Sequence, residues 1–300
     1  MLDVIIALIP ALVAAAIFFG PRALLITAGT ISAAVLAEMI SRWIMKRDTD
    51  SIYDLTAVIT GLLLALSLPV TIPMWMAAIG AAVAIVVVKQ FFGGVGQNFI
   101  NPAVAGRLVL VLSYPIAMTA AWVSPFAHRC VPCVAAIDAV SAATPFGIIA
   151  AGEPLPPLMD LFLGIHAGSM GETSALALLL GGVYLVIRRV ISPVIPLTFI
   201  GTTVLIVTLA GQDPLAHLFT GALLFVAIFM ATDYATSPLH VWGRVIFGIG
   251  CGLITAVIRL FAAAPEGVGF ALIIMNILVP HIETLTVQKP FGRGGKKTDG

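Results

Sequence analysis

Charge is scarce in this chain. Of 300 residues, 15 are Lys or Arg and 14 are Asp or Glu, so 10% are charged, against about 25% in a soluble domain. Hydrophobic residues make up 60% and the mean hydropathy is +1.13. No soluble core could hide that much apolar surface, so the chain reads as an all-α polytopic membrane protein lying in a lipid bilayer. The formal net charge is +1, and no global field points to nucleic acid or to an acidic substrate. Cysteine is equally sparse. Cys130, Cys133 and Cys251 are too few for a disulfide framework. Cys130-Val131-Pro132-Cys133 has metal or redox spacing and His128 is near, but no second pair completes a zinc site, so no metal is assigned. The first apolar run, Val4 to Phe19, follows a charge-poor start without a small-residue cleavage site. It reads as a retained span rather than a cleaved signal.

What is present is a series of apolar runs, near residues 4–20, 22–44, 55–69, 73–90, 102–121, 173–187, 195–211, 215–232, 243–262 and 268–285. These predict about ten transmembrane helices. Runs 55–69 and 173–187 are short for a hydrocarbon core of ~30 Å, as helices ending at the midplane beside a binding site often are. Lys and Arg fall in alternate connections: Arg42, Lys46 and Arg47, then Arg188 and Arg189, then Lys289, Arg293, Lys296 and Lys297. That side is expected to be the cytoplasm, with both termini inside. Segment 122–172 then faces out. It carries Arg129 against Asp138, Glu153, Asp160 and Glu172, and Arg22 is one external exception.

The halves resemble each other. Thr60-Gly61 leads to Gly94-Val95-Gly96, and Thr220-Gly221 leads to Gly267-Val268-Gly269. A repeat offset by five spans is inverted, although short Gly-rich matches also recur in membrane sequences by chance. The expected organisation is a five-helix membrane repeat (1–121), an external segment (122–172), a second five-helix repeat (173–288) and a basic cytoplasmic tail (289–300).

Several polar clusters interrupt this pattern. Gly93-Gly94-Val95-Gly96-Gln97-Asn98-Phe99-Ile100-Asn101-Pro102 is neither a Walker loop nor a dinucleotide fingerprint. Its glycines allow close backbone approach, and Gln97, Asn98 and Asn101 add neutral hydrogen-bonding groups. It reads either as a cofactor or ion pocket or as a re-entrant turn satisfying its own backbone. Asp233, in Thr232-Asp233-Tyr234-Ala235-Thr236-Ser237-Pro238, sits near the membrane boundary, where a helix-capping turn is the plain alternative. Glu38 is membrane-embedded and one turn from Arg42, so it reads as a local ion pair or part of an ion pathway. Asp54 is a further pathway candidate. Arg107 reads as a phosphate or carboxylate ligand if it faces a site, and as a snorkelling side chain if not. Thr144 precedes Pro145, and with Ser141 it suits a helix cap. No residue is assigned a catalytic role.

Taken together these segments resemble the RnfD/NqrB family, the flavin-bearing membrane subunits of Rnf and sodium-pumping NADH:quinone reductase complexes. The family's flavinylation motif is Asp-x-x-Ser/Thr-Gly-Ala-Thr. Asp138, Ser141, Ala143 and Thr144 match it, and Ala142 replaces the motif glycine. Gly93 to Ala103, Asp160 to Gly164, Gly168 to Ala175 and Ala231 to Asp233 also resemble the family, in its order. The length suits RnfD better than NqrB. The resemblance implies FMN joined to Thr144 through a phosphoester on the external face, with Asp138 and Ser141 beside it. It also implies a non-covalent riboflavin between the helices, for which Gly94, Gly96, Gln97, Asn98 and Asn101 are the candidate surroundings. It further implies an Rnf-type ferredoxin:NAD oxidoreductase in the cytoplasmic (inner) membrane that moves Na+ or H+. The other complex subunits, one bearing a second covalent flavin, and a maturing flavin transferase are the implied partners. A channel or transporter of small solutes, with inverted repeats and no redox cofactor, is the alternative from the architecture alone.

Overall fold

The computed structural model describes residues 1–47, 54–119, 122–126, 144–151, 155–262 and 267–287. The described residues form helices and turns and no β-strand, because helices satisfy their own backbone within lipid. All ten apolar runs are helical in whole or in part. Helices α1 (Leu2–Phe19) and α2 (Pro21–Ile44) are parted by Gly20, whose φ of 75° breaks the first, and by Pro21, which opens the second. Next come α3 (Thr56–Leu66) and α4 (Met74–Ala82), the latter running on as a π-helical stretch, Val83–Gln90. Helix α5 (Pro102–Ser113) starts at Asn101, whose side chain accepts from the amides of Ala103 and Val104. Short helices α6 (Pro115–Thr119), α7 (Pro145–Ala151) and α8 (Leu158–Leu163) follow.

The second half contains α9 (Ala175–Ile187), capped by Ser174, and α10 (Val194–Leu209). The span near 215–232 is broken into α11 (Pro214–Phe219) and α12 (Leu223–Phe225), which continues as π-helical Val226–Met230. Helices α13 (Val241–Phe261) and α14 (Gly267–Thr286) complete it. Of the described helices, α1, α2, α13 and α14 are long and apolar enough to cross a membrane.

Neighbour relations repeat between the halves. Helix α2 packs on α3 and α4, and α4 on α5; α10 packs on α11, α12 and α13, and α13 on α14. Across the halves α1 lies on α9 and α5 on α14. Each is the counterpart of the other in a five-helix repeat, as expected of repeats related by a two-fold axis. Small residues permit the closest pairing. A Cβ on Gly252 of α13 would lie 2.7 Å from the Phe199 carbonyl of α10, and Thr203 donates to the Gly252 carbonyl at 3.3 Å. Such approaches drive helix association in lipid.

Helix α3 sets the interior. Eleven residues rise about 16 Å, roughly half a hydrocarbon core. The chain then continues without helix through Leu68, Val70 and Ile72, all buried. A helix ending at that depth strands its last carbonyls. Here each finds a distant donor. The Gly171 amide donates to Leu66 O at 2.6 Å and the Met170 amide to Leu68 O at 3.1 Å. The Arg107 guanidinium donates to Ser67 O. Beyond them Arg22 donates to Val70 O at 2.9 Å and to Thr71 O at 3.2 Å. The loop 164–174 is thereby tied onto the broken end of α3.

Gly171 is needed for that tie, since a Cβ there would lie 2.5 Å from the Leu66 Cβ. Gly171→Ala is expected to destabilise the protein by about 1–3 kcal/mol, the usual penalty of overpacking. Gly201→Ala, which meets nothing within 4 Å in α10, is expected to be neutral or to stabilise by up to about 1 kcal/mol. Thermal unfolding of both variants in detergent checks this, and equal losses would exclude the tie as the cause.

Candidate functional sites along α5

Thr144 begins α7 as its cap. Its Oγ1 accepts from the Gly147 amide at 3.2 Å and its carbonyl accepts from the Ile148 amide at 2.9 Å. It is half-buried, and it shares a narrow cavity with Arg107, Trp122, His166, Glu172 and Gly221. The volume, about 10 Å3, admits about one water. Thr144 therefore caps a helix, and it also faces a cavity with a cation in its wall. Arg107 faces the site rather than snorkelling. Next to Thr144, the buried Phe146 ring lies edge-on to His217 at 6.0 Å and under the Arg259 guanidinium at 5.5 Å. Arg259 is itself buried, donating to His217 O at 2.7 Å and to Thr220 O at 3.0 Å. Asp138, Ser141 and Ala142 lie outside the described residues, as do Cys130 and Cys133.

A much larger cavity, about 510 Å3, opens at the N-terminal end of α5, whereas Arg107 of the narrow cavity lies midway along the helix. That is within the range of pockets for small molecules. Gly96, Asn98 and Asn101 line it from one side, and Phe229, Thr232 and Asp233 from the other. The Gly-rich turn reaches this place through left-handed backbone at Gly93, Gly94 and Gly96, with φ of 124°, 103° and 80°, which side chains resist. Asn101 fixes the turn twice: its Oδ1 caps α5 at 3.0 and 3.3 Å, and its Nδ2 donates to Met230 O at 3.1 Å. Two other sequence candidates do not line the cavity. Gln97 is exposed beside Gly93, and Gly94 lies against Arg42 and Gln90.

The ion-pathway candidates separate. Asp54 is exposed. Asp233 is half-buried in the cavity wall and accepts from Thr236 at 3.4 Å. Glu38 is fully buried, and its nearest cation is Lys89 rather than Arg42. Lys89 donates to Glu38 Oε1 and Oε2 at 2.9 and 3.0 Å and to Thr56 at 2.7 Å. Gln90 donates to Glu38 Oε1 at 3.0 Å, and Arg42 Nε stands 3.8 Å away. Lys89 and Thr56 also line the large cavity.

Sequence reasoning missed Lys89, Arg259 and His166. For the two cations a signal existed, because a charge inside an apolar run is a functional hypothesis by default. For His166 there was none, since its partners are backbone atoms.

The sequence profile of the NQR2, RnfD, RnfE family matches residues 1–292. The chain is 42% identical to the D-type subunit of the Na(+)-translocating ferredoxin:NAD(+) oxidoreductase complex of Acetobacterium woodii, over 97% of this chain and 90% of that one. It is 38% identical to the D-type subunit of the proton-translocating ferredoxin:NAD(+) oxidoreductase complex of Clostridium ljungdahlii, over 97% and 91%. It is 37% identical to the D-type subunit of the ion-translocating oxidoreductase complex of Stutzerimonas stutzeri, over 99% and 92%.

Removing one partner of a buried ion pair strands the other, at about 3–5 kcal/mol, whereas replacing both is far milder. Glu38→Gln or Lys89→Met alone is therefore expected to cost about 3–5 kcal/mol, and the double variant clearly less than the sum. Thermal unfolding of all three checks this; additive losses would show that the pair is not coupled.

Proposed function

Because the chain belongs to the NQR2, RnfD, RnfE family, we propose that it is the D-type membrane subunit of an ion-translocating ferredoxin:NAD oxidoreductase complex. We further propose that it carries FMN on Thr144 and a non-covalent riboflavin in the large cavity. The likeness to the D-type relatives over nearly the whole chain supports the first part. The observation that carries the second is the pair of sites along α5, one at its middle with a hydroxyl beside a cation, the other at its start and large enough for a tricyclic ring.

The residues suit these groups differently. At Thr144 the half-buried Oγ1 is the acceptor, and Arg107 supplies positive charge for a phosphate. A volume of about 10 Å3 has no room for the ring, which on this reading lies outside the cavity. In the large cavity Ile59, Leu63 and Phe229 offer apolar walls, while Asn98 and Lys89 offer polar contacts. Flavins supply one- and two-electron transfer; the chain supplies attachment, orientation and exclusion of water. On the charge pattern, Thr144 faces outside, the large cavity and both termini face the cytoplasm, and the membrane is the cytoplasmic one. A flavin transferase and a second covalent-flavin subunit are the partners this reading needs. The named relatives move different ions, Na+ in one and protons in another, so the proposal names the coupling and not the ion.

The test is in-gel fluorescence of the denatured chain, made in cells that contain the transferase. Wild type is expected to give a fluorescent band and Thr144→Ala none. Flavin extractable from native Thr144→Ala is expected to persist, and Thr60→Phe, which fills the large cavity, is expected to lose it. A dark wild-type band would overturn the covalent assignment.

A further inference from the structure

Four hydroxyl side chains line the large cavity: Thr56, Thr60, Thr232 and Tyr234. Each has one hydrogen to give. Thr60 gives its hydrogen to Thr56 O at 3.0 Å, Thr232 to Ile228 O at 2.6 Å, and Tyr234 to Val190 O. These three can offer a ligand lone pairs only. Thr56 differs. Its Oγ1 accepts from Lys89 Nζ at 2.7 Å, and its own hydrogen has no acceptor among the described residues.

Lys89 has no hydrogen left for a ligand. An ammonium carries three N–H bonds, and they go to Glu38 Oε1 at 2.9 Å, Glu38 Oε2 at 3.0 Å and Thr56 Oγ1 at 2.7 Å. The cation reaches the cavity through Thr56 instead. A hydroxyl oxygen that accepts from an ammonium gives up its own hydrogen more readily, because linked hydrogen bonds polarise one another. Lys89 arrives on the π-helical stretch Val83–Gln90, a geometry that recurs at functional sites.

Helix α3 aims the group. Thr56 opens the helix, and Ile59, Thr60 and Leu63 follow it at i+3, i+4 and i+7, all in the cavity wall. Residues so spaced share one face. That face is polar at its start and apolar beyond. A flat ligand lying along it rests its body on Ile59 and Leu63 and brings one edge to Thr56.

We infer that Thr56 is the hydrogen-bond donor by which the large cavity recognises a carbonyl oxygen of its ligand, and that Lys89 and Glu38 are positioning residues acting through it. This rests on the reading that the cavity holds a riboflavin, and it names the residue that reads the carbonyl-bearing edge of the ring. The class selected is a neutral flat molecule with such an edge. An anionic group gains little there, since the ammonium is already paired with a carboxylate.

The experiment uses the full chain, co-expressed with the transferase, and riboflavin as the probe. Equilibrium dialysis reads affinity. Isotope-edited infrared difference spectra of riboflavin labelled at its carbonyl carbons read the hydrogen bond itself. Thr56→Val keeps the shape and removes the O–H. It is expected to weaken riboflavin binding about tenfold, as loss of one hydrogen bond to a buried acceptor does, and to move a carbonyl band to higher wavenumber. Thr56→Ser is expected to restore the wild-type band, and Thr60→Val, whose hydrogen is already spent, to leave it in place. An unmoved band in Thr56→Val overturns the inference whatever the affinity, because a packing defect weakens binding without touching the carbonyl. Wild type that binds no riboflavin overturns the reading of the cavity and the inference with it. Should Thr56→Val fail to fold, the Glu38→Gln/Lys89→Met double variant decides. It keeps the Thr56 hydroxyl and removes the ammonium that polarises it, so the band is expected to move part of the way, and an unmoved band overturns the inference.

Discussion

The broken end of α3 is the constraint from which the rest of the structure follows. A peptide carbonyl without a donor inside a membrane is too unfavourable to leave alone, and α3 presents three in succession at Leu66, Ser67 and Leu68. A guanidinium from α5 and two amides from the loop 164–174 answer them. That requirement draws an arginine and the polar loop 164–174 into the interior of an apolar protein. Once there, Arg107, His166 and Glu172 surround the cavity beside Thr144. The chemistry of this end is a consequence of how the backbone is satisfied.

Helix α5 then links the two sites. Asn101 anchors it in the wall of the large cavity and Arg107 reaches the narrow one. Six residues of α-helix separate them, about 9 Å of rise. The segment from Ala222 to Phe229 spans the same interval in the opposite sense, with Ala222 at the narrow cavity and Phe229 at the large one. Both connections are helical and buried, so the spacing between the sites is fixed by regular secondary structure. Regular secondary structure holds such a spacing more rigidly than loops would.

Much of this was legible in the sequence, and the reasons are particular. Runs of apolar residues with Pro or Gly at their borders located all ten helical segments, because Pro21, Pro102 and Pro214 open helices as their missing N–H permits. The shortness of run 55–69 pointed to a helix that stops early, and α3 ends after eleven residues. Asn101 was named from the polar turn and Thr144 through the family resemblance, and both line cavities. Gly94 and Gln97 were grouped with the large cavity because they are adjacent in sequence, yet Gln97 is exposed and Gly94 lies against Arg42 and Gln90. Lys89 was hidden by its neighbours: one lysine at the edge of Met74–Gln90 reads as interfacial until Glu38, 51 residues earlier, is seen against it. The neighbour reading of Glu38 with Arg42 holds, at 3.8 Å, but it left out the nearer cation, Lys89, at 2.9 Å.

The two buried charge groups obey one rule with different outcomes. Glu38 and Lys89 neutralise each other through paired hydrogen bonds, with Thr56 and Gln90 taking up remaining capacity. Arg259 donates to two backbone carbonyls and lies over a ring face, and its Nε is buried without a hydrogen-bond partner among the described residues. Glu172 balances it at a distance and keeps one oxygen without a donor among the described residues. His166, between them, faces two acceptors that a neutral ring cannot both use. Each cluster leaves one side-chain oxygen without a partner among the described residues, Gln90 Oε1 in the first and Glu172 Oε2 in the second, so what separates them is the partner of the cation: a carboxylate for Lys89, backbone carbonyls and a ring face for Arg259.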